Sequence, residues 1–210
     1  HHNALDIDLF LRIAPELYLK KLLIGGLLKV YEIGRNFRNE GIDVTHNPEF
    51  TMLEYYEAFS DASKQLIFAE KMLKNLVKKI AKNNEITFDQ QKIDLNKKFA
   101  KITFFDLLRR YAHLERPESI SREEIAMQAE RLGVKVEQGD SIEKIMDSIY
   151  KKICRPKLIQ PTIITEYPVN YLPLAKKLQH KESLVDAFQI IIGGLEIVKA
   201  FSELNDTIDQ

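Results

Sequence analysis

Lys29-Val30-Tyr31-Glu32-Ile33-Gly34-Arg35-Asn36-Phe37 leads into Arg38-Asn39-Glu40-Gly41, then His46-Asn47-Pro48-Glu49, then Phe50-Thr51-Met52-Leu53-Glu54. The first nine residues alternate, with Val30, Ile33 and Phe37 set among Tyr31, Glu32 and Arg35, so they predict a strand. Phe50 to Phe59 has the same character. The polar stretch Arg38 to Glu49 between them, about 12 residues long, is a loop holding Gly41 and Pro48. Hairpin loops usually have roughly 2 to 5 residues, and a longer one tends to carry function. Its chemistry fits a nucleotide. Arg38 offers a planar, permanent charge for phosphate and carboxylate, Glu40 can accept from an adenine amino group, His46 can reach outer phosphates, and Phe50 can stack on a base. By composition alone a solvated charged loop is the favoured reading.

Outward from this stretch, Leu17 to Leu28 suits a helix stopped by Gly25-Gly26. From residue 62 to 82 the apolar set 66, 67, 69, 72, 73, 76, 77 and 80 follows the 3.6-residue period, which predicts an amphipathic helix with a lysine-rich outer face. Ser121 with Glu124 forms a capping box, ended by Gly133. Asp140 with Glu143 repeats the device before Ile142, Ile145, Met146 and Ile149. These short helices predict a helical surface insertion over about residues 110–158. Near the end, Ala187 to Ile192, Gly193-Gly194, and Leu195 to Phe201 predict a hairpin with a two-residue turn. A regular register sets Ile191 against Glu196 and Gln189 against Val198, and brings Gln189 and Glu196 together on one face.

The chain has 210 residues, 45% of them hydrophobic, enough for one folded domain and too many for a disordered segment. Its 31 basic and 31 acidic residues cancel, so no global basic field advertises nucleic acid. Any RNA contact is local or made by parts outside this sequence. Cys154 has no intrachain partner and no zinc-site spacing, which predicts a buried structural thiol in a reducing, cytoplasmic setting. No apolar run approaches the roughly 18 residues of a membrane span. Both ends look cut, and the sequence is expected to be an internal segment.

The string Arg35-Asn36-Phe37-Arg38-Asn39-Glu40-Gly41, with His46-Asn47-Pro48-Glu49-Phe50-Thr51-Met52-Leu53-Glu54, resembles motif 2 of class II aminoacyl-tRNA synthetases. Arg12-Ile13-Ala14-Pro15-Glu16-Leu17-Tyr18-Leu19-Lys20, Pro173-Leu174-Ala175-Lys176 and Ser202-Glu203-Leu204-Asn205-Asp206 resemble blocks of the lysyl-tRNA synthetases. The resemblance covers nearly the whole chain, weakly across 83–155, and stops short of motifs 1 and 3. It implies an α/β catalytic fold of the class II type, with a mainly antiparallel sheet flanked by helices. The implied activity is ATP-dependent formation of lysyl-adenylate and its transfer to tRNA(Lys), with Mg2+ and a homodimer. The isolated segment is expected to be inactive.

Position by position, the resemblance makes Arg38 the bridge between the ATP α-phosphate and the lysine carboxylate. Glu40 and Phe50 would hold adenine, and His46 and Asn47 would attend to phosphate. Glu16 and Glu54 would bind substrate ammonium groups or support the pocket. Tyr56 and Glu203 would read the lysine side chain, Glu203 as a buried countercharge to its ε-ammonium, with Phe201 walling the alkyl chain. Two positions depart from the family. Gln189 stands where a glutamate usually joins the equivalent of Glu196 in holding magnesium, and Lys199 replaces an asparagine beside the substrate. The alternatives are a tRNA-independent lysine ligase acting on a translation elongation factor, or a catalytically silent paralogue that binds lysine or nucleotide.

Overall fold

The computed structural model describes all residues except Glu40 and Val44, and the side chain of Lys82. It divides into two compact units, His1–Ser60 and Asp61–Gln210.

In the first unit, helix α1 (Glu16–Ile24) precedes an antiparallel ribbon of strands β1 (Lys29–Phe37) and β2 (Glu49–Glu57). The expected helix ends earlier than Leu28, because Gly25 and Gly26 amides close onto the Lys21 and Leu23 carbonyls. Strand β1 has the expected bounds, whereas β2 begins one residue early, where Glu49 pairs with Phe37. Alternation along β1 is strict, with residues 29, 31, 33 and 35 exposed and the even positions covered.

The second unit is built on a mixed, mainly antiparallel sheet. Strand β5 (Ala100–Thr103) runs parallel to β6 (Thr162–Pro168), which pairs antiparallel with the long β8 (Lys181–Ile192). Strands β7 (Lys177–Leu178) and β9 (Leu195–Phe201) flank β8 on its other side, both antiparallel to it. A small hairpin, β3 (Glu85–Phe88) with β4 (Gln91–Asp94), lies outside this sheet.

Each face of the sheet has its own apolar cluster. Helix α2 (Ala62–Ile80) buries Ala69, Leu73 and Val77 against Ile163, Phe188 and Ile190. Asp61 caps it by accepting from the Lys64 amide at 2.8 Å. The other face carries helices α3 (Phe104–Ala112), α4 (Arg122–Arg131) and α5 (Ile142–Ile149), the last continuing into a π-turn at Tyr150–Cys154. Phe104, Leu108, Ile145 and Cys154 pack there with Ile164 and Ile191. The helical stretch at about 110–158 thus shares its buried side chains with the sheet.

Two expectations are corrected. Ser121 and Glu124 do form a capping box on α4, but α5 is capped by Ser141, whose hydroxyl accepts from the Lys144 amide at 3.2 Å. Asp140 turns away, accepting from the Glu137 amide at 2.8 Å and pairing with Lys144 at 2.6 Å. The β8–β9 hairpin keeps Ile191 opposite Glu196 but sets Gln189 opposite Lys199, not Val198. The extra residue is Ile197, a one-residue bulge.

Candidate functional site

On the covered face of the ribbon, Glu32 lies opposite Glu54, Gly34 opposite Met52, and Asn36 opposite Phe50. The two-residue period puts Phe50, Glu54 and Tyr56 on this one face. The Tyr56 hydroxyl donates to Glu54 Oε2 at 3.1 Å. Lys20, one turn along α1, bonds Glu16 at 2.6 Å and sits 5.7 Å from the Tyr56 ring centroid. Burial, with the nearby Glu16 charge, raises the Glu54 carboxyl above its ordinary value, while Tyr56, Arg38 and Lys20 oppose the shift. The result is a half-buried pair of carboxylates with a tyrosine hydroxyl, a group suited to receiving an ammonium ion.

Arg38 leaves the end of β1 with its guanidinium 5.2 Å from the Phe50 ring centroid. Its Nε donates to the Ile13 carbonyl at 3.2 Å. Arg12 lies across β1, bonding Glu32 and donating from Nε to the Arg35 carbonyl at 2.8 Å. Only a glycine at 34 leaves room for it, since a Cβ there would fall on the Arg12 guanidinium. Asn36 is 1% exposed, and its side-chain amide has no hydrogen-bond partner among the described residues. Arg12 and Asn36 stand in the quoted sequence blocks, but the sequence assigned neither a role.

In the loop, Asp43 Oδ1 accepts from the Thr45 amide at 2.6 Å and the Thr45 hydroxyl at 2.9 Å. His46 Nδ1 lies 2.9 Å from both Asp43 oxygens. The Thr45 amide first, then His46, hold the Asp43 carboxyl far below the usual carboxylate range. His46 is thus oriented by Asp43, and Asn47 is exposed. Glu40, the expected adenine acceptor, lies outside the described residues.

In the second unit, the bulge at Ile197 brings Gln189, Ile191, Glu196, Lys199 and Phe201 to one face of the sheet. Phe201 packs against the apolar cluster of that face. Glu203 forms a bridge with Ala175 and is exposed, where a buried carboxylate was expected. Gln189 is 7% exposed. Its Oε1 accepts from Tyr150 Oη at 3.0 Å and Tyr167 Oη at 2.8 Å. Burial, and then the Glu196 charge for Tyr150, keep both phenols protonated far into alkali.

The donor pair at 189 and 196 does not fit a magnesium ion shared between the two residues. Both lone pairs of the Gln189 oxygen are taken by hydroxyls, leaving Glu196 as a single carboxylate, which holds magnesium only together with substrate phosphates and water. Among the described residues no three His, Cys, Asp or Glu side chains cluster as a metal site. Tyr150 and Tyr167, which sequence did not single out, decide the point.

Three similar proteins are each named lysine--tRNA ligase. Those of Photorhabdus laumondii and Enterobacter sp. are 43% identical to this chain, and that of Serratia proteamaculans 42%. Each match covers all of this chain and 42% of the relative, so the chain spans less than half the length of the curated relatives it matches. The sequence model of the tRNA synthetases class II (D, K and N) matches residues 1–210. With a full-length match, motif 2 side chains gathered on one ribbon face and a mainly antiparallel sheet, the chain belongs to the class II tRNA synthetases of the D, K and N group.

Proposed function

We propose that the protein containing this chain is a lysine--tRNA ligase, which joins lysine to ATP as lysyl-adenylate and passes the lysyl group to tRNA(Lys). The observation that carries this reading is the ribbon face, where Glu16, Glu54 and Tyr56 gather beside Arg38 and Phe50. Two carboxylates and a hydroxyl suit an ammonium of the amino acid. The cation beside them suits its carboxylate and the α-phosphate.

In the reaction a lysine carboxylate oxygen attacks the α-phosphorus and pyrophosphate leaves. Negative charge gathers on the phosphoryl oxygens, where Arg38 stabilises it by position and charge. Phe50 presents its ring to the adenine, and His46, oriented by Asp43, and Asn47 serve the outer phosphates. The 3′-end of tRNA(Lys) then takes the lysyl group and AMP leaves. In the second unit, Glu203 and Phe201 are assigned to recognising the lysine side chain, and Glu196 and Lys199 to the nucleotide. Magnesium would neutralise phosphate charge, arriving with ATP.

A homodimer working in the cytoplasm fits this reading. Exposed apolar side chains of the first unit, such as Phe10, Ile24 and Ile33, suit a subunit contact. Among the described residues no helix is long and apolar enough to cross a membrane. Lysine-dependent exchange of labelled pyrophosphate into ATP by the full-length protein tests the proposal. Exchange with lysine and not with aspartate or asparagine is expected, and no exchange with lysine would refute it.

A further inference from the structure

Gln189 is a structural acceptor. Its amide oxygen is committed to Tyr150 from the π-turn and Tyr167 from β6, and the residue is almost wholly buried. Directly across the ladder stands Lys199, exposed, with Glu196 on the same face. The charges that act on that carboxylate are, in order, the cations Lys199, Arg155 and Lys151 and the anion Asp147. Asp147 is itself paired with Lys151 at 2.7 Å. Among the described residues the buried Arg155 Nε has no hydrogen-bond partner. The face therefore carries more fixed positive charge than negative, and its neutral amide is unavailable to a metal.

We propose that this face meets nucleotide phosphate with fixed side-chain cations, Lys199 foremost, and does not hold a divalent ion between residues 189 and 196. The inference rests on the nucleotide-binding reading above. An ammonium needs no desolvation of a hydrated divalent ion and stays with the protein when nucleotide leaves. It also shares a face with Glu196 and acts on its charge, and that carboxylate would otherwise repel phosphate.

The test uses the full-length protein and two probes. Manganese, followed by its paramagnetic resonance signal, reports a protein-held divalent ion without nucleotide. ATP binding by calorimetry, with and without magnesium, reports the phosphate contacts. No manganese should be held at Glu196. ATP should bind within about threefold of the same affinity in either condition. Lys199→Asn should weaken magnesium-free binding about tenfold, and Lys199→Arg should restore it. Because Lys199 is exposed, these variants avoid the buried knot around Gln189. Manganese held by the wild type and lost in Glu196→Gln would overturn the proposal, as would Lys199→Asn binding ATP normally without magnesium. ATP binding and lysine-dependent exchange that both require such an ion would overturn this inference alone. No ATP binding under any condition would overturn the function reading together with it.

Discussion

Arg38 rests on the ring of Phe50, its guanidinium carbon 5.2 Å from the centroid. One face of that ring is therefore already covered by a cation, and a base stacking there would have to share or displace it. This ties the residue proposed to bridge the α-phosphate to the residue proposed to seat adenine. Arg38→Ala in the full-length protein is expected to reduce lysine-dependent pyrophosphate exchange on the order of 10²-fold or more. Circular dichroism and the melting temperature should barely change. Exchange at the wild-type rate would remove Arg38 from catalysis.

Gly34 is needed for space and not for its dihedral freedom. Gly34→Ala would expel Arg12 from its place across β1, with loss of its bonds to Glu32 and the Arg35 carbonyl. The Phe37 amide, which donates to the Arg12 carbonyl at 2.9 Å, should then exchange its hydrogen faster. Exchange mass spectrometry over residues 35–38 reads this, and unchanged protection would show that Arg12 is not held as described.

Phe104 is fully buried where α3 meets the sheet, 5.1 Å from Tyr167 and 5.6 Å from Tyr150 by ring centroids. Phe104→Ala should cost about 3–5 kcal/mol, since the tyrosines held by Gln189 cannot collapse into the space. Urea denaturation measures it, and a loss below about 1 kcal/mol would show that the cluster repacks.

Cys154 and the buried tyrosines make stability fall in alkali. Burial pushes the Cys154 thiol up to about 12. A group whose folded value lies above its unfolded one stabilises the fold fully below the unfolded value, near 8.5 for a thiol, and loses that contribution as pH rises toward the folded value. Denaturation midpoints should decline through roughly pH 9 to 11, less steeply in Cys154→Ala. Parallel slopes for the two proteins would assign the alkaline loss to other groups.

Local pattern made much of this fold legible. The bounds of β1, the stop at Gly25-Gly26, the Ser121–Glu124 box and the Gly193-Gly194 turn each depend on residues a few positions apart. The cap of α5 was misread because Asp140 and Ser141 are adjacent capping types, and Lys144 claims the carboxylate. The knot around Gln189 was illegible, since Tyr150 and Tyr167 lie 39 and 22 residues away and meet it only through packing. The bulge did leave a sign. Two charged residues, Glu196 and Lys199, stand three apart around Ile197-Val198, which a regular strand cannot place on one face.

That bulge also dictates which changes in chain length β9 survives. Losing one codon at Ile197 would merely straighten the strand, leaving Lys199 opposite Gln189 and Phe201 opposite Ala187. Losing Ala200 would hold Lys199 in place but turn Phe201 and everything after it to the opposite side. Two deletions of equal size, three codons apart, thus differ in kind, one silent to the arrangement of the face and the other inverting its far end.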